Sequence, residues 1–253
     1  MSENKGTRIN KFLSEAGFCS RREADKLIEK NRVKINGKVP LVGTKVIPGD
    51  RVSVDKKIIN SNKEKLVYIA FNKPKGIVCT TDTKREKNNI IDFINYPKRI
   101  FPIGRLDKPS EGLIFLTSDG DIVNKILRAS NRHEKEYIVI VDKAINSDFI
   151  SKMSNGIPIL GTVTNKCHVQ KLASRKFKII LTQGLNRQIR RMCEYLGYSV
   201  KELKRVRIMN INLDVGVGEW RYFTKKELTK INKTLLNSSK TVLEKNEKLF
   251  HKK

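Results

Sequence analysis

One acid lies in strongly cationic surroundings. In GRLDKPSEGL (104–113), Asp107 lies two residues after Arg105 and one before Lys108, with Pro109, Ser110 and Gly112 behind it. A carboxylate so placed can work on a polyanion, as a nucleophile or as a base. Asp-Lys-Pro-Ser is equally a turn sequence, in which aspartate and serine bond nearby backbone. Glu111 would supply the second carboxylate of a glycosidase, but it follows four residues on, across a proline turn, so that reading ranks low. Cations gather at three other places. KPKG puts Lys73 and Lys75 around a rigid Pro-Gly turn, where they either hold a nucleotide backbone or are simply solvated. QGLNRQIRR carries Arg187, Arg190 and Arg191, and SRRE places Arg21 and Arg22 at a helix start. Tyr137 in KEYIV and Leu203 in ELKRV fall on strand-like alternation, which by itself makes both core residues.

The whole chain supports a polyanionic partner. Its 253 residues hold 53 Lys+Arg against 26 Asp+Glu, a formal charge of +27. Such an excess repels itself unless an anion neutralises it, which makes nucleic acid the leading partner. Part of the lysine surplus reflects a Lys-, Asn- and Ile-rich composition; the arginines, with planar forks that grip phosphate, are the better witnesses. Cysteines 19, 79, 167 and 193 are scattered, with no C-x-x-C pair and no clustered histidine. This argues against a zinc site or a disulfide scaffold and suits a reducing cytosol. The polar opening MSENKGTRINK is no signal peptide, and apolar runs such as LVYIAF are strand-length, so a cytoplasmic protein away from membranes is expected.

The elements that must position these groups form two sets. After a loose six-residue leader, Ile9, Phe12, Leu13 and Ala16 share one helical face. Gly17 ends that helix, and Ser20 with Glu23 forms a capping box for a second, striped by Ala24, Leu27 and Ile28. RVKINGKV reads as a hairpin turning at Asn36-Gly37, RVSVD as a short strand, and 55–65 as a polar linker. Beyond it, strands are expected at 66–72, 113–117, 136–142, 162–171, 175–182 and 199–214. Helices are expected near 120–129, 146–154, 186–196 and 225–236. Strands joined by short polar turns favour antiparallel pairing over a doubly wound order. The division is 7–60, 65–237, and a basic, fraying tail at 238–253.

Residues 7–55 resemble the S4 RNA-binding domain, a basic two-helix unit followed by a small hairpin. The resemblance puts Arg8, Lys11, Ser20, Arg21 and Arg22 on its RNA face, where helix N-termini and guanidinium forks cradle phosphates. YIAFNKPKGIVCT (68–80), PIGRLDKPSEGLIFLTSDGD (102–121), HEKEYIVIVD (133–142) and QGLNRQIRRMCEYLGYSVKELKRVRI (183–208) resemble the RsuA/RluB-type pseudouridine synthases. Within them HEKEYIV, GIPILGTVTNKC and RIMNI are most similar to the 23S ribosomal RNA branch called RluF. The implied architecture is α+β: a small S4 domain, then a larger mixed, mainly antiparallel sheet domain with a central active-site cleft.

The resemblance also implies a reaction. The C1′–N1 bond of a uridine breaks, the uracil turns while held, and C5 bonds to C1′. Nothing is oxidised and no outside group enters, so neither a cofactor nor a metal is expected. The family gives the sugar chemistry to the aspartate of R-L-D, here Asp107, as nucleophile at C1′ or base at C2′. Its partner is the arginine mapped onto Arg190; an opposed guanidinium typically lowers a carboxyl pKa by ~1–3 units. Tyr137 corresponds to the family's active-site tyrosine, a face for the uracil, and Leu203 to an apolar pocket residue. Arg105, Arg187 and Arg191, with Lys73 and Lys75, are left as RNA-binding cations, and Ser110 as a brace for the turn. The target base must be flipped out, which favours loops and bulges. The expected partner is 23S rRNA, with a tRNA anticodon loop as second candidate, and the expected state is a monomer. The competing reading is a non-catalytic RNA-binding or ribosome-assembly protein that keeps the synthase fold.

Overall fold

The computed structural model describes residues 6–60, 65–128 and 131–236. The expected tail at 238–253 and most of the expected leader lie outside the described residues. Two compact units form. One runs to Leu66 and includes Pro97–Arg99, and the other holds Val67–Tyr96 and the chain from Ile100 onward.

The first unit comprises β1 (Thr7–Arg8), α1 (Ile9–Glu15), α2 (Arg21–Glu29), β2 (Val33–Ile35), β3 (Lys45–Val46), β4 (Val52–Val54) and β5 (Lys57–Ile59). Ile9 and Leu13 on α1, and Ala24 and Ile28 on α2, are spaced four apart and turn one stripe inward onto Val33, Val52 and Val54. Gly17 ends α1 with φ +73°, and the Ser20 hydroxyl caps α2 by accepting from the Glu23 amide at 3.2 Å. Asn36-Gly37 does turn the chain, both with positive φ, and an Ile35–Lys38 bridge closes it. The expected hairpin goes no further. β2 pairs with β4 instead, because the Asn36 side chain bonds Asp50 and the Arg51 amide and draws that strand alongside. The expected linker is also partly structured: Asp55 and Lys56 form the turn of a β4–β5 hairpin, and Ile59 joins the core.

The second unit is built on one sheet. Its strands are β6 (Tyr68–Lys73), β7 (Phe101–Ile103), β8 (Glu111–Thr117), β9 (Lys135–Val141), β12 (His168–Ala173), β13 (Lys176–Leu181), β14 (Val200–Ile208), β15 (Ile211–Asn212) and β16 (Trp220–Tyr222). A separate hairpin joins β10 (Pro158–Ile159) to β11 (Thr162–Val163). The sheet order is β12-β13-β9-β14-β8-β6-β16, with β15 on β14 and β7 on β8. Every pairing is antiparallel except β14 with β8. Both faces are covered, which explains the unbroken apolar run LIFLT: Ile114 and Leu116 enter one core, Leu113 and Phe115 the other. The first face is closed by α3 (Ile90–Ile94), α5 (Ser147–Asn155) and α6 (Gln188–Tyr195); the second by α4 (Gly120–Leu127) and α7 (Lys225–Leu235). Two expected strands are interrupted. Residues 164–167 separate β11 from β12, and a turn with Met209 at φ +52° separates β14 from β15.

The parallel contact depends on one glycine. Gly112 opposes Arg205 with φ +117°, and a Cβ there would stand 2.3 Å from the Arg205 carbonyl oxygen. Gly112→Ala therefore both strains the backbone and forces β8 off β14. We expect a loss of at least about 2 kcal/mol, read as a lower melting temperature in calorimetry; an unchanged melt would show that the strands can separate freely.

Candidate active site

The loop from Gly104 to Ser110 joins β7 to β8 and is held from three sides. The Ser110 amide donates to the Asp107 carbonyl at 2.9 Å, closing the turn, and the Gly76 amide donates to the Lys108 carbonyl at 2.8 Å. Behind them the buried Cys79 thiol donates to the Leu106 carbonyl at 3.3 Å and accepts from its amide at 3.4 Å. The loop thus presents the Asp107 side chain from fixed backbone.

Arg190 approaches from α6. Its Nη2 donates to the Ser110 hydroxyl at 3.0 Å, its Nη1 to the Val200 carbonyl at 3.3 Å, and its Nε lies 3.8 Å from Asp107 Oδ2. Burial depresses the Arg190 pKa, and the neighbouring Asp107 charge opposes that shift. Nε makes no hydrogen bond among the described residues, so the pair is a contact of charges rather than a bidentate fork. Ser110, expected to bond backbone in the turn and support Asp107, closes the turn through its amide and accepts from this arginine through its hydroxyl.

Tyr137 on β9 faces Arg205 on β14, and Leu203 follows on the same face, two residues before Arg205. All three are buried, and the Arg205 guanidinium stands 5.9 Å from the Tyr137 ring centroid. Asp107, Tyr137, Arg190 and Leu203 line one cavity of about 440 Å³, with Arg105 and Arg187 in its wall. Arg187 reaches this position as the N-cap of α6, in the left-handed region at φ +49°. A non-glycine residue held there costs about 1–3 kcal/mol, a strain that concentrates at working sites.

Other expected positions fall elsewhere. Lys73 is the clear correction: it is fully buried, and its ammonium donates to the carbonyls of Pro74 at 2.7 Å and Ile77 at 2.9 Å. It braces the turn from inside because it ends β6 pointing inward, so it offers RNA nothing. Lys75 is exposed, 3.6 Å from Glu202. Arg191 is turned back onto Asn186, donating to its carbonyl and side-chain oxygens at 3.2 and 3.4 Å. Arg8, Arg21 and Arg22 are exposed on the first unit, and Lys11 pairs with Glu15 at 3.3 Å. Glu111 is paired with Lys204 at 2.9 Å, which removes it as a partner acid for Asp107.

Two charged residues of the cavity are not among those expected from the sequence: Lys135 and Arg205. Both sit at inward strand positions, Lys135 two residues before Tyr137, and a charge at an inward position is itself a signal. Among the described residues no group of three or more His, Cys, Asp or Glu side chains is placed to hold a metal ion, and no helix is long and apolar enough to cross a membrane. The four cysteines are unpaired thiols.

A turn-borne aspartate beside a buried arginine, a buried tyrosine and cations in the cavity wall are groups that suit chemistry on a nucleotide. The chain belongs to the RNA pseudouridylate synthase family, whose model matches residues 67–195, and an S4 domain matches residues 7–52. It is 57% identical over 244 residues to the dual-specificity RNA pseudouridine synthase RluF of Escherichia coli (strain K12), covering 96% of this chain and 84% of that protein. It is 33% identical to ribosomal large subunit pseudouridine synthase B of Bacillus subtilis (strain 168), covering 88% of this chain and 95% of that one. A pseudouridylate synthase crystal structure superposes with TM-score 0.65 at 28% identity, over 89% of this chain and 99% of its own. The family and the RluF likeness expected from the motifs are thereby borne out, as is the α+β fold with its mainly antiparallel sheet. The protein is an RNA pseudouridine synthase, an isomerase.

Proposed function

We propose that the protein converts a uridine of 23S ribosomal RNA to pseudouridine with Asp107 as the reacting carboxylate. The observation that supports this most is the fixed Asp107 loop facing Tyr137 across a cavity whose wall contains Arg190. A flipped uridine stacks its base on Tyr137 and against Leu203, bringing C1′ and C2′ of its sugar to Asp107. The carboxylate attacks C1′ or takes a proton from C2′, and either route releases the base with the C1′–N1 electron pair. The ring turns within the cavity, C5 bonds to C1′ as the carboxylate leaves C1′ or returns its proton to C2′, and the C5 proton is replaced by one gained at N1. Arg190 gives Asp107 a neighbouring counter-charge at 3.8 Å, and the Ser110 hydroxyl accepts from Arg190 and orients it.

The RNA is held mainly through phosphates, by Arg8, Lys11, Arg21 and Arg22 of the S4 unit, by Arg105 and Arg187 in the cavity wall and by the exposed Lys75. Ser20 serves as the cap that shapes that RNA face. The dual-specificity name of the Escherichia coli relative supports a second RNA substrate, for which a tRNA anticodon loop is our candidate. We place the protein in the cytoplasm as a monomer. Unmodified 23S rRNA incubated with the protein, treated with carbodiimide and mapped by primer extension should show a new stop at one uridine. A stop in tRNA alone would move the target, and no stop in either RNA would leave only a binding protein.

A further inference from the structure

We propose that Lys135 and Arg205 form a cationic floor beneath Tyr137 that takes up the negative charge of the uracil ring once it is detached from the sugar. The inference rests on the uridine-isomerising role proposed above.

Strand geometry brings the two cations together. Lys135 and Tyr137 are two apart on β9 and share a face, while Arg205 pairs with Tyr137 across β14. Both cations line the cavity, with only 8% and 4% of their surfaces exposed. Arg205 is anchored at one end, where Nε donates to the Leu113 carbonyl at 2.6 Å, and its Nη2 is left buried with no hydrogen-bond partner. Lys135 donates to the His133 carbonyl at 3.2 Å. Burial first, and the Arg205 charge second, lower the Lys135 pKa to about 8. Among the described residues neither forms an ion pair with a carboxylate. Two buried neighbouring cations without a counter-ion are costly to keep, and the cost is offset when an anion arrives between them.

The reaction supplies such an anion at this place. When C1′–N1 breaks, the electron pair stays on the ring and spreads from N1 to its carbonyl oxygens. Bond formation from C5 to C1′, with proton loss at C5 and gain at N1, discharges it. A donor aimed at charge that exists only during the reaction lowers the barrier rather than tightening binding. An RNA phosphate would also suit two cations, but the floor lies under the tyrosine, where the base enters rather than the backbone.

The test uses the full chain and two versions of one target RNA, carrying uridine or 5-fluorouridine at the modified site. Fluorine withdraws electrons and makes the detached ring a better anion that needs less help. Lys135→Gln and Arg205→Gln should slow single-turnover breakage of the uridine C1′–N1 bond by about 10²-fold, with RNA affinity near that of the unaltered protein. On the fluorinated RNA the loss should be several-fold smaller, and Lys135→Arg should recover most of the rate. Equal losses on both RNAs, or a defect confined to affinity, would overturn the proposal. An unaltered protein inert on the uridine RNA would sink the underlying reading as well. If the glutamine variants do not fold, the pH profile decides. Lys135 faces Arg205 and His133, and its charge is lost as pH rises through about 8. The rate should fall there in the unaltered protein and hold to higher pH in Lys135→Arg; superimposable profiles would refute the idea.

Discussion

Asp107→Asn should abolish turnover and leave RNA binding nearly intact. The amide has the shape of the carboxylate, so the loop loses little. It is fixed by the Ser110–Asp107 backbone bond and by Cys79 on Leu106, neither of which uses the Asp107 side chain. What goes is the negative charge and the lone pair that the proposed reaction needs at the sugar. Removing the one group that performs a covalent or proton-transfer step costs roughly 10⁴-fold or more in rate. On the proposed reading affinity comes from cations on the phosphates, so it should change by no more than about twofold. Single-turnover conversion and filter binding on the same RNA separate the two quantities. Turnover surviving in this variant would remove Asp107 from the chemistry.

Arg190→Ala should damage both rate and stability. The guanidinium serves three groups at once: the Asp107 carboxylate, the Ser110 hydroxyl and the Val200 carbonyl. Without it the buried Ser110 hydroxyl and the strand carbonyl lose a donor, and the carboxylate loses its counter-charge. Breaking a fully buried pair costs roughly 3–5 kcal/mol. Here the Asp107 side chain is 36% exposed and 3.8 Å away, so water screens part of the loss. A destabilisation of about 1–3 kcal/mol is expected after that discount. The melting temperature should drop by several degrees and the rate by about 10²-fold or more, as for a lost preorganised contact. Arg190→Lys, which restores the charge but not the fork, should recover stability before activity. A normal melt for the alanine variant would show that the arginine is not integral to the site's packing.

The parts of this site that were legible in the sequence are those carried by short segments. The Asp107 loop, the Arg190 helix and the Tyr137 strand each lie within one run of residues, where spacing and turn chemistry suffice. Gly17 and Ser20 set the helix ends in the same local way. Lys73 is not legible in this way: a lysine beside Pro-Gly resembles a solvated tip, and only pairing of β6 with β8 turns it inward onto carbonyls. Arg205 and Lys135 are hidden for a related reason. Which face of β9 and β14 looks into the cavity depends on strand partners far away in sequence, and a bulge between Arg205 and Arg207 shifts the register. The β2–β4 pairing was missed because Asn36 selects its partners from residues 50 and 51 rather than from its own hairpin.

The position of β14 between β8 and β9 has a consequence for how the protein is born. The strand that carries the Asp107 loop and the strand that carries Tyr137 do not touch as sheet neighbours; residues 200–208 must come between them. A ribosome makes Asp107 some hundred residues before it makes that strand, an interval of about 5–20 s at ordinary elongation rates. For the later part of that time the acid and the tyrosine exist without the strand that sets their spacing. On the proposed reading, the site assembles only once residues 200–208 emerge, so a chain ended before residue 209 should keep its S4 segment and lack turnover.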